Sequence, residues 1–98
     1  MDGKMFSKRI NIKKQTWLDK DKNITEVMEF DENGYCIYLK DYKDGFEMWC
    51  EYDENGNEIH TKNSKGFEQW YEYDDHGNMI HAKNSNGEEC YIEYEYWS

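Results

Sequence analysis

Residues 45–65 read GFEMWCEYDENGNEIHTKNSK, and residues 66–86 read GFEQWYEYDDHGNMIHAKNSN. The two stretches match at fourteen of 21 positions without a gap. Residues 87–98, GEECYIEYEYWS, begin a third copy, and residues 26–45 form an earlier, diverged copy whose second turn is one residue longer. A period of this length indicates a repeat architecture in which each copy is one supersecondary unit.

Each unit contains two runs of strand length separated by turn residues. One turn is Asp-Glu-Asn-Gly or Asp-Asp-His-Gly, and the other is Asn-Ser-Lys-Gly or Asn-Ser-Asn-Gly. Asp, Asn and Gly tolerate the left-handed backbone that hairpin turns require. Strands joined by such short turns form an antiparallel meander. We therefore predict an all-β fold: an antiparallel meander of about 7–8 strands built from 21-residue hairpin repeats, either a single twisted sheet or a partly curled barrel.

The length of 98 residues corresponds to a single domain, residues 1–98. Before residue 24 the repeat pattern fades, so we divide the chain into a basic lead-in, 1–23, and the repeats, 24–98. Within the lead-in, residues 8–18 are predicted to form a strand, with Asp19–Asn23 as the turn that follows it.

Alternation within the strands predicts two different faces. One carries Met48, Cys50 and Tyr52 and their equivalents, whereas the other carries Trp49 and its equivalents between glutamates. Two interpretations of this second face remain open: each ring packs beside its equivalent in the next repeat, or the rings anchor a partner, since interfaces favour Trp and Tyr. The predicted partner-binding residues are Trp49, Trp70, Tyr91, Glu47, Glu51, Glu68, Glu72, Glu89 and Glu93.

Charge is distributed unevenly along the chain. The net charge is -10, to which residues 1–22 contribute +4 and residues 23–98 contribute -14. An acidic body disfavours direct binding to nucleic acid or to an anionic membrane, and it suits a basic protein partner. The same charge also serves solubility, because it keeps a ring-rich sheet from aggregating.

The cysteines and the N-terminal residues bear on the compartment. The chain has three cysteines, Cys36, Cys50 and Cys90, with no C-x-x-C spacing, so we expect half-buried thiols in a reducing compartment. No apolar stretch of signal length follows Met1, and no stretch is long enough to span a membrane. We predict a cytoplasmic protein.

The core Tyr-Asp-x-x-Gly-Asn, present at residues 52–57 and 73–78, resembles the YD repeat of the Rhs family. A weaker version stands at residues 30–35. The resemblance covers about residues 24–98 and implies an extended β meander. Large members of that family wrap a shell around a toxin, and this chain is too short for that role. Short acidic chains of this kind resemble products of toxin–immunity loci or of phage genomes.

No catalytic or metal-binding constellation emerges from the sequence. His60 and His81 share one repeat position and would approach each other if equivalent strands stacked, but a metal would need further ligands. His76 stands in a turn where its sister unit has Asn55, and Asp53–Asn57 lacks the later glutamate of a calcium loop. No activating base is suggested for any cysteine. We predict no cofactor, no metal and no enzymatic activity.

Three functions remain open at this point. The first is an acidic inhibitor, in particular an immunity protein that neutralises a cationic nuclease toxin. The second is a phage-encoded inhibitor of a host nucleic-acid enzyme, such as an anti-CRISPR, and the third is a structural or carbohydrate-binding module. A homodimer is also possible, because a meander has two unpaired edges. Tyr94, Tyr96 and Trp97 would form that contact, while Lys8, Arg9, Lys13 and Lys14 would protect the first edge by charge.

Overall fold

A computed structural model describes residues 11–97 as one antiparallel sheet. Its strands are β1 (Lys14–Leu18), β2 (Ile24–Phe30), β3 (Cys36–Asp41), β4 (Glu47–Tyr52), β5 (Glu58–Asn63), β6 (Glu68–Tyr73), β7 (Met79–Asn84) and β8 (Glu89–Tyr91). Each strand pairs only with its neighbours in sequence, which confirms the predicted meander. The sheet is not closed, so of the two predicted forms the single open sheet is the one found. Of the predicted lead-in strand, 8–18, residues 14–18 form β1 and residues 11–13 are outside any strand, while residues 8–10 lie outside the described residues.

One turn design recurs at both ends of the strands. In Asp53–Asn57 the Asp53 N–H donates to the Asn57 carbonyl (2.9 Å), and the Gly56 N–H donates to the Asp53 carbonyl (3.0 Å). Oδ1 of Asp53 accepts the N–H groups of Asn55 and Asn57, both at 2.9 Å. Gly56 has a φ of 86°, the left-handed region that a type I turn followed by a bulge requires. The same backbone bonds close the turns Asp19–Asn23, Asp31–Tyr35, Asn63–Phe67, Asp74–Asn78 and Asn84–Glu88.

The turn Asp19–Asn23 shows that the repeat design reaches further toward the N-terminus than its sequence signature. Here Lys22 takes the position of Gly56, with a φ of 70°. The turn itself was predicted at Asp19–Asn23, but the absence of glycine hid its likeness to the turns of the repeats. The remaining turn, Asp41–Phe46, is one residue longer, as the spacing of its glycine predicted.

A bulge follows the turn in four of the hairpins. The register skips one residue on one strand at Thr25, Ile37, Ile59 and Ile80. Because the extra residue interrupts the alternation, Glu58 pairs with Tyr52 on one face while His60 pairs with Glu51 on the other. Residues two apart in sequence therefore lie on opposite faces at these points.

Burial is slight, as a single layer requires. Val27, Met28, Phe30 and Cys50 are the buried apolar residues. The surface of 7735 Å² exceeds the roughly 6,000 Å² typical of a compact chain of this mass. Tyr52, Tyr73 and Tyr94, at the 21-residue period, each donate a hydroxyl hydrogen bond to a backbone carbonyl, of Cys36, Glu58 and Met79 respectively. These rings cover the face that bears Met28 and Cys50, which we call the core face.

Candidate functional site

The opposite face, which we call the ladder face, is organised in cross-strand rows. Directly opposed residues of an antiparallel sheet share a face, so the strand register defines each row. Row 1 is Glu29–Tyr38–Trp49–Lys62–Glu68, row 2 is Glu51–His60–Trp70–Lys83–Glu89, and row 3 is Glu72–His81–Tyr91. Each row thus runs from an acid through a phenol or imidazole ring to the predicted aromatic ring. In rows 1 and 2 it continues to a lysine and a second acid.

The three predicted rings do occupy equivalent places on one face. Trp49 is 40% exposed, Tyr91 is 73% exposed, and Trp70 is half-buried. They do not pack on one another, so that interpretation was wrong: their strands are two apart, and the strand between them supplies a different ring. Trp49 packs on Tyr38 (centroids 5.6 Å apart), Trp70 on His60 (5.5 Å) and Tyr91 on His81 (4.6 Å).

His60 lies between two of the predicted glutamates. Its Nδ1 is 2.7 Å from Oε1 of Glu51, and its Nε2 is 2.9 Å from Oε1 of Glu68. The ring is 24% exposed and lies nearly parallel to the Trp70 indole, at 21°. Lys83, on the strand after Trp70, lies beside the same indole, with its Nζ 5.5 Å from the ring centroid.

His81 repeats this arrangement one unit later. Its Nδ1 is 2.7 Å from Glu72 and its Nε2 is 2.6 Å from Glu89, and its ring is stacked on Tyr91 at 15°. The ring is 18% exposed. Equivalent strands do not stack, so His60 and His81 do not approach each other: β6 separates their strands, and about 10 Å separates strands two apart.

The geometry favours the protonated form of both histidines. A neutral imidazole has only one N–H. In each ring here, both nitrogens have a carboxylate oxygen within hydrogen-bond distance, each from a different glutamate. Both contacts are satisfied by the imidazolium, which donates twice. Burial opposes the charge on His60, but the hydrogen bonds to Glu68 and Glu51 outweigh it and raise its pKa above 6.5. The hydrogen bonds to Glu89 and Glu72 raise the pKa of His81 in the same way.

Row 1 differs because a tyrosine replaces the histidine. The Tyr38 hydroxyl donates to Oε2 of Glu47 at 2.5 Å, a bond that raises the pKa of Tyr38 to about 12. Lys40, directly opposite Glu47, has its Nζ 4.8 Å from the centre of the Tyr42 ring. An open groove of 520 Å³ lies here, lined by Glu29, Ile37, Tyr38, Glu47 and Trp49.

The predicted glutamates fall into three groups. Glu51, Glu68, Glu72 and Glu89 hold the two histidines, and Glu47 accepts from Tyr38. Glu93 lies beyond the end of β8 and is exposed, so it belongs to no row. The prediction missed six row residues: Glu29, Tyr38, His60, Lys62, His81 and Lys83. Recurrence at the 21-residue period was the only sequence signal for the histidines and these two lysines.

The negative charge is concentrated away from the ladder face. On that face the three rows, with Glu47 and Lys40, hold six carboxylates, three lysines and two histidines, a net charge of -1 when both histidines are protonated. The turns after β2, β4 and β6 share one end of the sheet and hold six carboxylates and no basic residue other than His76. We call them the acidic turn row: Asp31–Tyr35, Asp53–Asn57 and Asp74–Asn78. The four turns at the other end have a net charge of -1.

Candidate metal ligands and nucleophiles lie outside the ladder. Among residues 11–97, Asp74, Asp75 and His76 bring ligand atoms within 4.8 Å of one another in an exposed turn. Asp74 is already engaged there, accepting from the Tyr96 hydroxyl and from the Asn78 backbone, and these bonds lower its pKa. Burial raises the pKa of the Cys50 thiol to about 12, which makes it a poor nucleophile at neutral pH. Cys90 is exposed rather than half-buried, because β8 is an edge strand.

No protein family matches this sequence, and no curated protein is detectably similar to it. Within residues 11–97 there is no helix with the length and apolar character needed to cross a membrane.

Proposed function

We propose that this chain is a non-catalytic inhibitor that binds a basic protein through the ladder face. The observation that carries the proposal is the groove of row 1. It combines two aromatic rings with the carboxylates of Glu29 and Glu47, and none of the described residues that line it is a lysine or histidine. Where rows 2 and 3 have a histidine, row 1 has the neutral Tyr38. The lysines opposite the groove residues, Lys14, Lys40 and Lys62, stand beside the groove without lining it.

A lysine or arginine side chain of a partner fits this groove. The indole of Trp49 offers a face to a cation, and the flanking carboxylates offer charge-assisted hydrogen bonds. Trp49 and Tyr91 are exposed on the same face, and aromatic anchors of this type dominate binding energy in protein interfaces.

The acidic turn row supplies long-range attraction. Six carboxylates along one end of the sheet favour the approach of a positively charged surface and raise the association rate, an effect that salt screens. A nuclease toxin has such a surface, because it binds phosphates. We therefore propose an immunity protein as the specific role. A phage-encoded inhibitor of a host nucleic-acid enzyme uses the same physics and differs in the protein it captures.

The test begins with capture of a partner by the tagged chain from host cells, at low and at high salt. The captured protein is purified and its Kd is measured against wild type, Trp49→Ala, Glu47→Gln and a control, Trp97→Ala, which removes an exposed ring outside the ladder. We expect a basic partner whose activity the chain inhibits. Trp49→Ala should weaken binding by about 30-fold, in the range of a hot-spot residue, and Trp97→Ala by less than about twofold.

Two results would contradict the proposal. One is a partner whose affinity is indifferent to salt and survives Trp49→Ala. The other is a bound partner whose activity the chain leaves unchanged, which would make the ladder face a docking surface rather than an inhibitory one.

A further inference from the structure

The two outer strands direct unpaired backbone groups away from the sheet. The Phe30 N–H donates to the Lys13 carbonyl, and the Ile92 N–H donates to the Ile80 carbonyl. Residues alternate between the two sides of an antiparallel strand, so Lys14 on β1 and Tyr91 on β8 present their N–H and C=O groups outward. Within residues 11–97, no strand pairs with either outer side.

The strand count makes these two edges compatible. With eight strands in an antiparallel meander, β1 and β8 run in opposite directions. A second copy displaced sideways therefore brings its β1 antiparallel to β8, and the meander continues from one copy into the next.

The rows of the ladder face select the register. Lys62 lies opposite Trp49, and Lys83 lies opposite Trp70, in each case between two glutamates of the ring's own strand. Tyr91 has Glu89 and Glu93 at the same offsets, but no described residue takes the lysine position beside it. Row 3 is therefore an incomplete copy of rows 1 and 2.

Lys14 of a second copy matches the missing position. It is exposed, it lies on the ladder face because it opposes Glu29, and its backbone groups point outward. We propose that β1 of a second copy pairs with β8, with Lys14 opposite Tyr91. Row 3 then becomes Glu72–His81–Tyr91–Lys14–Glu29, the order of the first five positions in row 2.

Charge disfavours the symmetric alternative. If β8 paired with β8 of another copy about Tyr91, Glu89 would lie opposite Glu93, and like charges in that position destabilise a sheet. The pairing of β1 with β8 joins different surfaces of the two copies. It is therefore a head-to-tail contact that extends into open chains of copies rather than closing at two.

The proposed register predicts a specific crosslink. Gln15 of one copy lies opposite Cys90 of the next, in a pair that is not hydrogen-bonded. Cα atoms of such a pair are about 4.5 Å apart, within the range in which a disulfide forms. Under mild oxidation, Gln15→Cys should give a ladder of disulfide-linked oligomers on a non-reducing gel. Thr16→Cys is the matched control, because its side chain is one residue away on the other face, and Gln15→Cys combined with Cys90→Ser should abolish the ladder.

Sedimentation equilibrium tests the same contact without a new cysteine. The average mass of wild type should rise with concentration at low salt, and Lys14→Glu should weaken this association by at least about tenfold. Lys20→Glu makes the same charge change in the neighbouring turn and should leave it within about twofold. A wild type that stays monomeric, a Lys14→Glu variant that associates normally, or a Cys90–Cys90 link in wild type would each overturn the proposal.

Discussion

At the scale of single residues, the second position of each row is occupied by either a tyrosine or a histidine. Tyr38, His60 and His81 each stand between an aromatic ring and glutamates. The tyrosine satisfies one carboxylate with one hydroxyl, whereas each histidine satisfies two and neutralises part of their charge. Exchanging these residues changes the charge of a row while its ring contacts are retained.

The doubly bonded histidines predict a loss of stability at alkaline pH. Folding raises the pKa of His60 and His81 above the unfolded value near 6.5, so protonation stabilises the folded state. That contribution is complete below about pH 6.5 and is lost as pH rises through the folded-state pKa values. Thermal unfolding followed from pH 6 to 9 should show a falling Tm, and the fall should be largely absent from His60→Gln combined with His81→Gln.

His76→Gln is the control for that experiment, because it removes a histidine outside the ladder and should retain the fall in Tm. NMR titration of the His60 ring gives a second readout, since Glu51→Gln should lower its pKa. A wild-type Tm that is flat across this pH range would contradict the assignment of imidazolium. Asp53 has the opposite dependence on pH. Backbone hydrogen bonds, chiefly from Asn57, lower its pKa, so its contribution to folding stability is lost as the pH falls into the acid range.

Sequence alone predicted Trp49, its two equivalent rings and most of the glutamates of the ladder face, but neither Tyr38 nor the histidines. Trp49 and Glu51 are two residues apart on β4, and β4 alternates regularly between faces, so the period-2 pattern placed both on the same face. His60 is separated from that pattern by the bulge at Ile59, and a bulge shifts every later residue to the other face. The pairing of His60 with Glu51 depends on that single extra residue.

At the scale of the elements, the turns share a backbone design but differ in their surroundings. Gly56 and Gly77 both stand in the left-handed region, with φ of 86° and 85°. A Cβ on Gly77 would meet open space, whereas one on Gly56 would lie 2.4 Å from the hydroxyl of Tyr35, whose ring is stacked on Tyr52. The two glycines therefore form a matched pair for separating backbone strain from steric contact.

Gly77→Ala should cost about 1–2 kcal/mol in the free energy of unfolding, the price of a left-handed conformation for a residue with a Cβ. Gly56→Ala should cost more, because the added methyl displaces the Tyr35 ring. Urea unfolding of both variants measures the difference, and adding Tyr35→Ala should remove the excess. Equal losses in the two single variants would show that the Tyr35 ring moves without cost.

The turns also show a limit of prediction from the sequence. Glycine identified the turns at Gly34, Gly56 and Gly77, and the eleven-residue spacing correctly predicted the longer turn before Phe46. Lys22 adopts the same conformation without the residue type that normally signals it. Asp19 accepts the N–H groups of Asp21 and Asn23, at 2.8 and 3.0 Å, as Asp53 does in the turn that contains Gly56, so the same local bonds hold both turns together.

At the scale of the whole molecule, the fold is a plate rather than a globule. The sheet measures 57 × 32 × 22 Å, and its radius of gyration is 16.2 Å, against about 12.6 Å for a compact chain of this length. Each strand contacts the strands beside it, so stability is built from neighbouring hairpins, as in repeat proteins. Sequence predicted this topology well, because turn spacing specifies it. The clustering of carboxylates at one end emerged only when the turns were placed in space.

Hydrogen exchange should reveal a gradient of stability along the plate. The buried apolar side chains of the described residues lie in β2 and β4, and β8 is a three-residue strand with all its side chains exposed. We expect amides of β7 and β8 to exchange by local opening at least about tenfold faster than those of β2 to β4. Mass spectrometry of peptides from each hairpin measures this at low protein concentration, where copies do not associate. Uniform protection would indicate a single cooperative unit.

The identical closure of the turns at Asp53–Asn57 and Asp74–Asn78 has an evolutionary consequence. A gene segment encoding residues 45–65 starts and stops at equivalent points of the hairpin cycle, so an in-frame duplication or deletion changes the number of strands by two and preserves every remaining register. Each such event alters the width of the plate by about 10 Å. Recombination between the two similar segments would therefore change the size of this protein in fixed steps of two strands.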